Sequence, residues 1–261
     1  MGRSARRAWL IAPFCALLLG CGGSSDPLEE TIEQAYPISP DADISITNLD
    51  GTVQIYGSKK PEFSLQAIKK AYTAARLNGI SVNVSPKQNS ISVKTVMPPA
   101  KNWSFSDRSG TVDYVVVVPQ TSKISHLELK NGEILVTGLE SGTVRATLGN
   151  GRLFVHNCFG DVHVIAATGA LSLIYDWWNP RKFSAEARIV NGNAVAFIPG
   201  EASVHIMAEA LNGKIDNDFN EQEERTGSTV SKVDVVVGES PKSEIRMNAD
   251  DGTIKIVEVN P

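Results

Sequence analysis

One short motif recurs along the chain and limits what it can fold into: a glycine, one free position, then apolar residues two and four places on. It occurs at Gly51 (Val53, Ile55), Gly132 (Ile134, Val136), Gly142 (Val144, Ala146), Gly151 (Leu153, Val155), Gly160 (Val162, Val164), Gly169 (Leu171, Leu173), Gly192 (Ala194, Ala196) and Gly252 (Ile254, Ile256). Gly213 keeps only the first apolar place, Ile215. Successive side chains of a strand point to opposite faces, so this spacing means strands with one buried face. Such a unit cannot bury its oily face alone; neighbours must cover it, and repetition therefore means stacking. From Gly132 to Gly169 the glycines fall nine or ten apart, and Gly192 and Gly213 keep a step near twenty, so one coil is read as two strand-and-turn units of about twenty residues together. The expected class is all-β, a β-solenoid or β-helix-like stack of short strands with glycine-hinged turns. Asn131, Asn150, Asn191, Asn212 and Asp251 stand beside glycines. There they tolerate left-handed backbone and bond their own turn, which gives them a structural role.

The remaining chain divides by pattern. Residues 41–118 read as an N-terminal β block, and 119–260 as the repeat proper, continuous with it. In the first block Ile44, Ile46, Val53 and Ile55 alternate across a turn, and Phe63, Leu65 and Ala67 continue the alternation. A single short helix is expected near 71–77, ending at Asn78-Gly79. Ile80 to Val84 and Ile91 to Val96 read as a hairpin around Pro86–Asn89. Val112 to Val118 is read as an apolar run covered on both faces. Residues 221–229 read as a solvated loop. Lys255, Glu258 and Pro261 would blunt the last strand as an exposed edge.

The N-terminus carries an address. Arg3, Arg6 and Arg7 form a basic region, and residues 8–20 are apolar but contain Pro13 and are short for a membrane span. The run ends Leu18-Leu19-Gly20-Cys21, which resembles a bacterial lipobox. That resemblance implies a signal peptide over 1–20 and fatty acylation (palmitate) at Cys21. Residues 21–40 would be the acylated cysteine and a flexible tether, with Gly22-Gly23-Ser24-Ser25, several acids and Pro27, Pro37 and Pro40. Gly22 after the cysteine resembles Gram-negative lipoproteins kept at the outer membrane. Cys15 would leave with the signal, so Cys158 alone remains and no intrachain disulfide forms. It is read as a small buried hydrophobe. Without the first twenty residues Lys+Arg falls from 25 to 22 against 29 Asp+Glu, a net charge of −7. That acidic body lacks the basic footprint of a nucleic-acid binder.

The succession Asn48-Leu49-Asp50-Gly51-Thr52-Val53, then Val115 to Pro119, then Leu129-Lys130-Asn131-Gly132 and further Asn-Gly turns resembles the DUF4097 adhesin-like β-repeat family over about residues 40–258. The resemblance implies a β-solenoid, often exported or membrane-associated, without established catalytic residues. The chain departs from it at Asp176-Trp177-Trp178-Asn179-Pro180, a bulky insertion between Gly169 and Gly192.

Few residues suggest chemistry. His126, His156, His163 and His205 have no zinc-ligand spacing, and no cofactor is expected. Asp216, Asp218 and Asn220 resemble the start of a calcium loop. Glu221 stands where that loop needs glycine, and its final glutamate is missing. Glu133, Asp161, Glu186, Glu209 and Asp216 are scattered, and alignments such as Glu133 with Arg152 fit solvated charge ladders. Tyr175, Trp177, Trp178 and Phe183 form the candidate contact surface for a protein or glycan, against a reading in which both tryptophans are core. The expectation is a non-catalytic envelope protein, lipid-anchored through Cys21, presenting a rigid surface. The alternative is a carbohydrate-active β-helix enzyme, a polysaccharide lyase or hydrolase.

Overall fold

The computed structural model describes residues 26–99, 110–219, 224–226 and 230–259. Cys15, Cys21, the signal segment, Asn220 and most of the expected loop at 221–229 lie outside them. The described chain is all-β with one helical turn. Its strands are β1 (Leu28–Pro37), β2 (Asp43–Ser58), β3 (Glu62–Ala71), β4 (Ser81–Lys87), β5 (Ser90–Val96), β6 (Thr111–Pro119), β7 (Lys123–Thr137) and β8 (Thr143–His156). They continue with β9 (Asp161–Ile174), β10 (Ser184–Pro199), β11 (Val204–Asn217), β12 (Glu224–Thr226), β13 (Val230–Val237) and β14 (Ser243–Val259). The helix α1 (Ala74–Gly79) starts three residues later than expected, because Ala71 is still in β3; the Thr73 hydroxyl caps it by accepting from the Arg76 N–H. Hydrogen bonding links the sheet in the order β1-β3-β6-β2-β7-β8-β9-β10-β14-β11-β13-β12, with β5 also on β2 and β4 on β5.

The long strands stack in parallel and in register on their glycines. Gly51 lies beside Gly132, then Gly151, Gly169, Gly192, Gly252 and Gly213. The first six of these have φ between 126° and 151°, a region closed to ordinary side chains. A Cβ on Gly151 would stand 1.8 Å from the Gly132 carbonyl oxygen, and one on Gly252 would stand 1.7 Å from that of Gly192. Burial changes parity at this seam. Val144, Ala146 and Leu148 face inward before Gly151, and Leu153 and Val155 after it. Each long strand is thus two arms bent at the glycine, both turning apolar side chains into one core. Two bonds join the inner faces at the first rung: the Thr95 hydroxyl on β5 lies 2.6 Å from that of Tyr114 on β6 and donates to Asn48 Oδ1 at 2.7 Å. Gly142 and Gly160 lie away from the seam, at the turn that begins the first arm, where a Cβ on Gly160 would meet the Gly142 oxygen at 2.0 Å.

Four expectations change. Residues 28–37 are a strand rather than part of a flexible tether. β1 runs antiparallel to β3, which sets Glu29 beside Lys70 and Glu30 beside Lys69. The Lys69 ammonium, on the inner face, sits 2.8 Å from Glu30 and donates to the Ile80 carbonyl. Cross-strand charge joins the packing of Ile32 and Tyr36 against the core in holding this strand. Strand β6 buries Val112, Tyr114, Val116 and Val118, and Pro119 at its end; Val115 and Val117 are half-buried on the other face. Gly192 and Gly213 are not neighbours, because β14 is inserted between β10 and β11. For the same reason the last strand is interior. Burying full-size aliphatic side chains contributes roughly 1.5–3 kcal/mol each, so a strand with Ile245, Met247, Ile254 and Ile256 all buried gains by lying inside.

Gly151→Ala combines a forbidden φ with backbone overlap. We expect it to destabilise the fold by about 3 kcal/mol, read as a fall in melting temperature by circular dichroism.

Candidate functional site

The insertion after β9 is mostly core. Tyr175 is fully buried, Phe159 and Phe183 nearly so, and Trp178 packs half-buried against them. These rings meet tilted or edge-on at centroid separations of 5.0–5.7 Å, and Trp177 leans on Phe159 at 4.5 Å. Tyr175 and Phe183 therefore cannot contact a partner. Trp177, at 46% exposure, is the member left in solvent. The insertion joins β9 to β10, and its buried rings belong to the same core as Leu139 and Cys158. Burial drives the Tyr175 hydroxyl far above its ordinary range and pushes the Cys158 thiol up to about 12. A fully buried thiol of that kind is no nucleophile.

Beside the insertion, the His156 ring spans Thr137 and Asp176: Nδ1 lies 3.2 Å from the Thr137 hydroxyl and Nε2 2.5 Å from Asp176 Oδ2. Asn157, with φ 49°, donates to Asp176 Oδ2 and accepts from the Asp176 N–H. The hydrogen bond from His156, with that from Asn157, outweighs partial desolvation and holds the Asp176 carboxyl below its usual range. This network fastens a turn.

The scattered acids are each matched by a base. Glu133 meets Arg152 at 2.7 Å, as the ladder reading expects, and Glu209 meets Lys232 at 3.0 Å. The His163 ring separates Asp161 from Glu186, one on each nitrogen. His205 meets Asp234 at 2.6 Å and His126 meets Glu128 at 3.4 Å. Asp216 pairs with Lys214, and Asp218 accepts from the Glu258 N–H. Among the described residues no three His, Cys, Asp or Glu gather where a metal ion could be held.

The surface that sequence reading missed is the outer face of the second arms. The ladder places Val115, Gln54, Leu135, Phe154, Ser172 and Val195 side by side, ending at Lys255. A second row runs Val117, Tyr56, Thr137, His156, Ile174, Phe197 and Val257. Its apolar members are half-buried. At about 4.8 Å per strand the seven strands make a band about 29 Å long. The Glu133–Arg152 pair rims it, and the Arg152 guanidinium stands 6.0 Å from the Phe154 ring centre. The signal was present: Leu135, Phe154, Val195 and Phe197 occupy places between the inward residues, making the second arms apolar on both faces.

No family model matches the chain, and no curated protein sequence matches it. Among solved structures it is similar to a proposed cell adhesion protein from Clostridium sporogenes, at 13% identity over 88% of this chain and 100% of that one, with a TM-score of 0.43. It is also similar to a proposed adhesin from Bacteroides fragilis, at 13% identity over 87% and 97% of the two chains, TM-score 0.30. A proposed lipid-binding protein from Parabacteroides distasonis matches at 9% identity over 88% and 95%, TM-score 0.29.

The burial of Cys158 has a direct chemical consequence. In a chain carrying Cys15→Ser and Cys21→Ser, an aromatic disulfide reagent should release no colour from the native protein at neutral pH and one equivalent after denaturation.

Proposed function

We propose that this is a non-catalytic, lipid-anchored protein of the bacterial cell envelope whose β-solenoid, of the kind the DUF4097 resemblance implies, presents a rigid surface to a protein or glycan. The apolar band carries the reading. Its side chains are spaced by the hydrogen-bond ladder of the sheet, so a partner meets them already ordered and little entropy is lost on binding. Phe154, Phe197 and Tyr56 supply flat rings of the kind that dominate recognition energetics. Trp177 adds an exposed ring at the neighbouring turn. The hydrolase form of the polysaccharide-cleaving alternative needs two carboxyl groups free to act on one bond. The carboxylates expected to supply them are each occupied by a cation, a histidine ring or a backbone N–H. Attachment through Cys21 follows the arithmetic of lipid anchors: each buried methylene contributes about 0.8 kcal/mol, and more than one chain gives stable residence. The outer membrane is the proposed address, on the residue after Cys21.

Two experiments test the parts separately. Cys21→Ala should move the protein from the membrane to the soluble fraction; unchanged partition overturns the anchor. Phe154→Thr with Phe197→Thr should weaken capture of crosslinked envelope proteins or arrayed glycans by the 22–261 fragment tenfold or more. Circular dichroism should remain that of the parent; parental binding would remove the band from the reading.

A further inference from the structure

Strand β14, the last of the described strands in chain order, stands inside the sheet. The chain leaves β10, passes residues 200–203 and forms β11 without pairing the two. It then lays β13 antiparallel on the far side of β11, crosses over, and inserts β14 between β10 and β11, parallel to both. Val204 is the partner of Val237 on one side and of Ser243 on the other, so residues 238–242 bridge over the start of β11. That bridge is tight. Gly238 has φ 73° and Ser240 φ 48°, and the Ser203 hydroxyl donates to the Glu239 carbonyl. A serine held at positive φ is a strained hinge.

The slot fits its strand by side-chain size as well as by ladder. Strand β10 offers Ala185, Ala187, Ala194 and Ala196 to the core, and β14 sets Ile245, Met247, Ile254 and Ile256 beside them. Across β14, Met247 meets another alanine, Ala208. Where β10 is large, at Ile189, β14 is small, at Ala249. The Gly252 seam fixes register, Arg188 clasps Asp250 with both carboxylate oxygens, and Ser243 donates to the Arg181 carbonyl.

We propose that this slot is a strand-binding site whose second occupant is β14 of another copy, so that two chains exchange their C-terminal strands through the 238–242 hinge. The exchange makes no contact that the single chain lacks. It opens only the bridge and relieves the positive φ at Ser240, which is the condition under which swapping is least costly. The balance between closed and exchanged forms then follows concentration against the effective concentration set by the short tether.

The test uses the full chain carrying Cys15→Ser and Cys21→Ser. One version has Glu186→Cys and the other Arg246→Cys, in-register neighbours on the outer face of β10 and β14. The two versions are unfolded together, refolded and oxidised. A covalent heterodimer is expected, its share rising several-fold from dilute to concentrated refolding and rising again when Ser240 and Pro241 are deleted. A share no greater than that from mixing the two versions after folding overturns the proposal. If either cysteine version fails to refold, the parent chain decides: dimers that form on concentrated refolding and persist on dilution support exchange, and monomer alone refutes it.

Discussion

The close approach of backbone to backbone along the glycine seam governs the rest of the structure. Each long strand bends where its glycine carbonyl occupies the place a neighbour's Cβ would need. Positive φ and absent side chain are required at the same residue, so the bend recurs at one register position through the stack. Because the bends align, the apolar residues at fixed distances from them align too, and each rung covers the next. The asparagines beside the seam extend the alignment to polar groups: Asn150 donates to Asn131, which donates to the Asp50 carboxylate. The seam orders what packing then stabilises.

The sequence disclosed this unit better than its assembly. Spacing of glycine and aliphatic residues identified the strands, their inward side and the hairpin of β4 and β5, because those properties are local. Neighbour order is not local. Every rung carries nearly the same pattern, so nothing in periodicity distinguishes Gly213 from Gly252 as the partner of Gly192; the alternation of alanine with isoleucine and methionine does so only once the strands are placed together. Strand β1 was hidden for a different reason. Glu29, Glu30 and Glu33 give it the composition of a solvated spacer, and its complement, Lys69 and Lys70, lies in another strand.

The aromatic residues show how composition misleads about site. Tyr175 and Phe183 drew attention because bulky rings interrupted a regular repeat. They interrupt it because the core at that turn needs filling, with Phe159 and half of Trp178. The proposed recognition surface lies instead in residues that look like redundant hydrophobicity, such as Leu135 and Phe197 in the free places of the motif. A strand with one solvated face would carry polar residues there. Their replacement by apolar ones across seven strands is a property of the ladder that no single rung displays.

Parallel rungs in perfect register are an open-ended arrangement, since the last can template another of its kind. This chain ends the series by reversing direction. At one end β3, on β6, and β4, on β5, run against the rungs; at the other β13 runs against β11. A reversed strand offers neither the seam nor the matching side-chain rows, and Asn217 breaks the aliphatic row of the second arms at β11. The number of rungs is thereby written into the chain. A reversed end gives a second copy no rung to continue, so the rungs do not extend from chain to chain into a fibre.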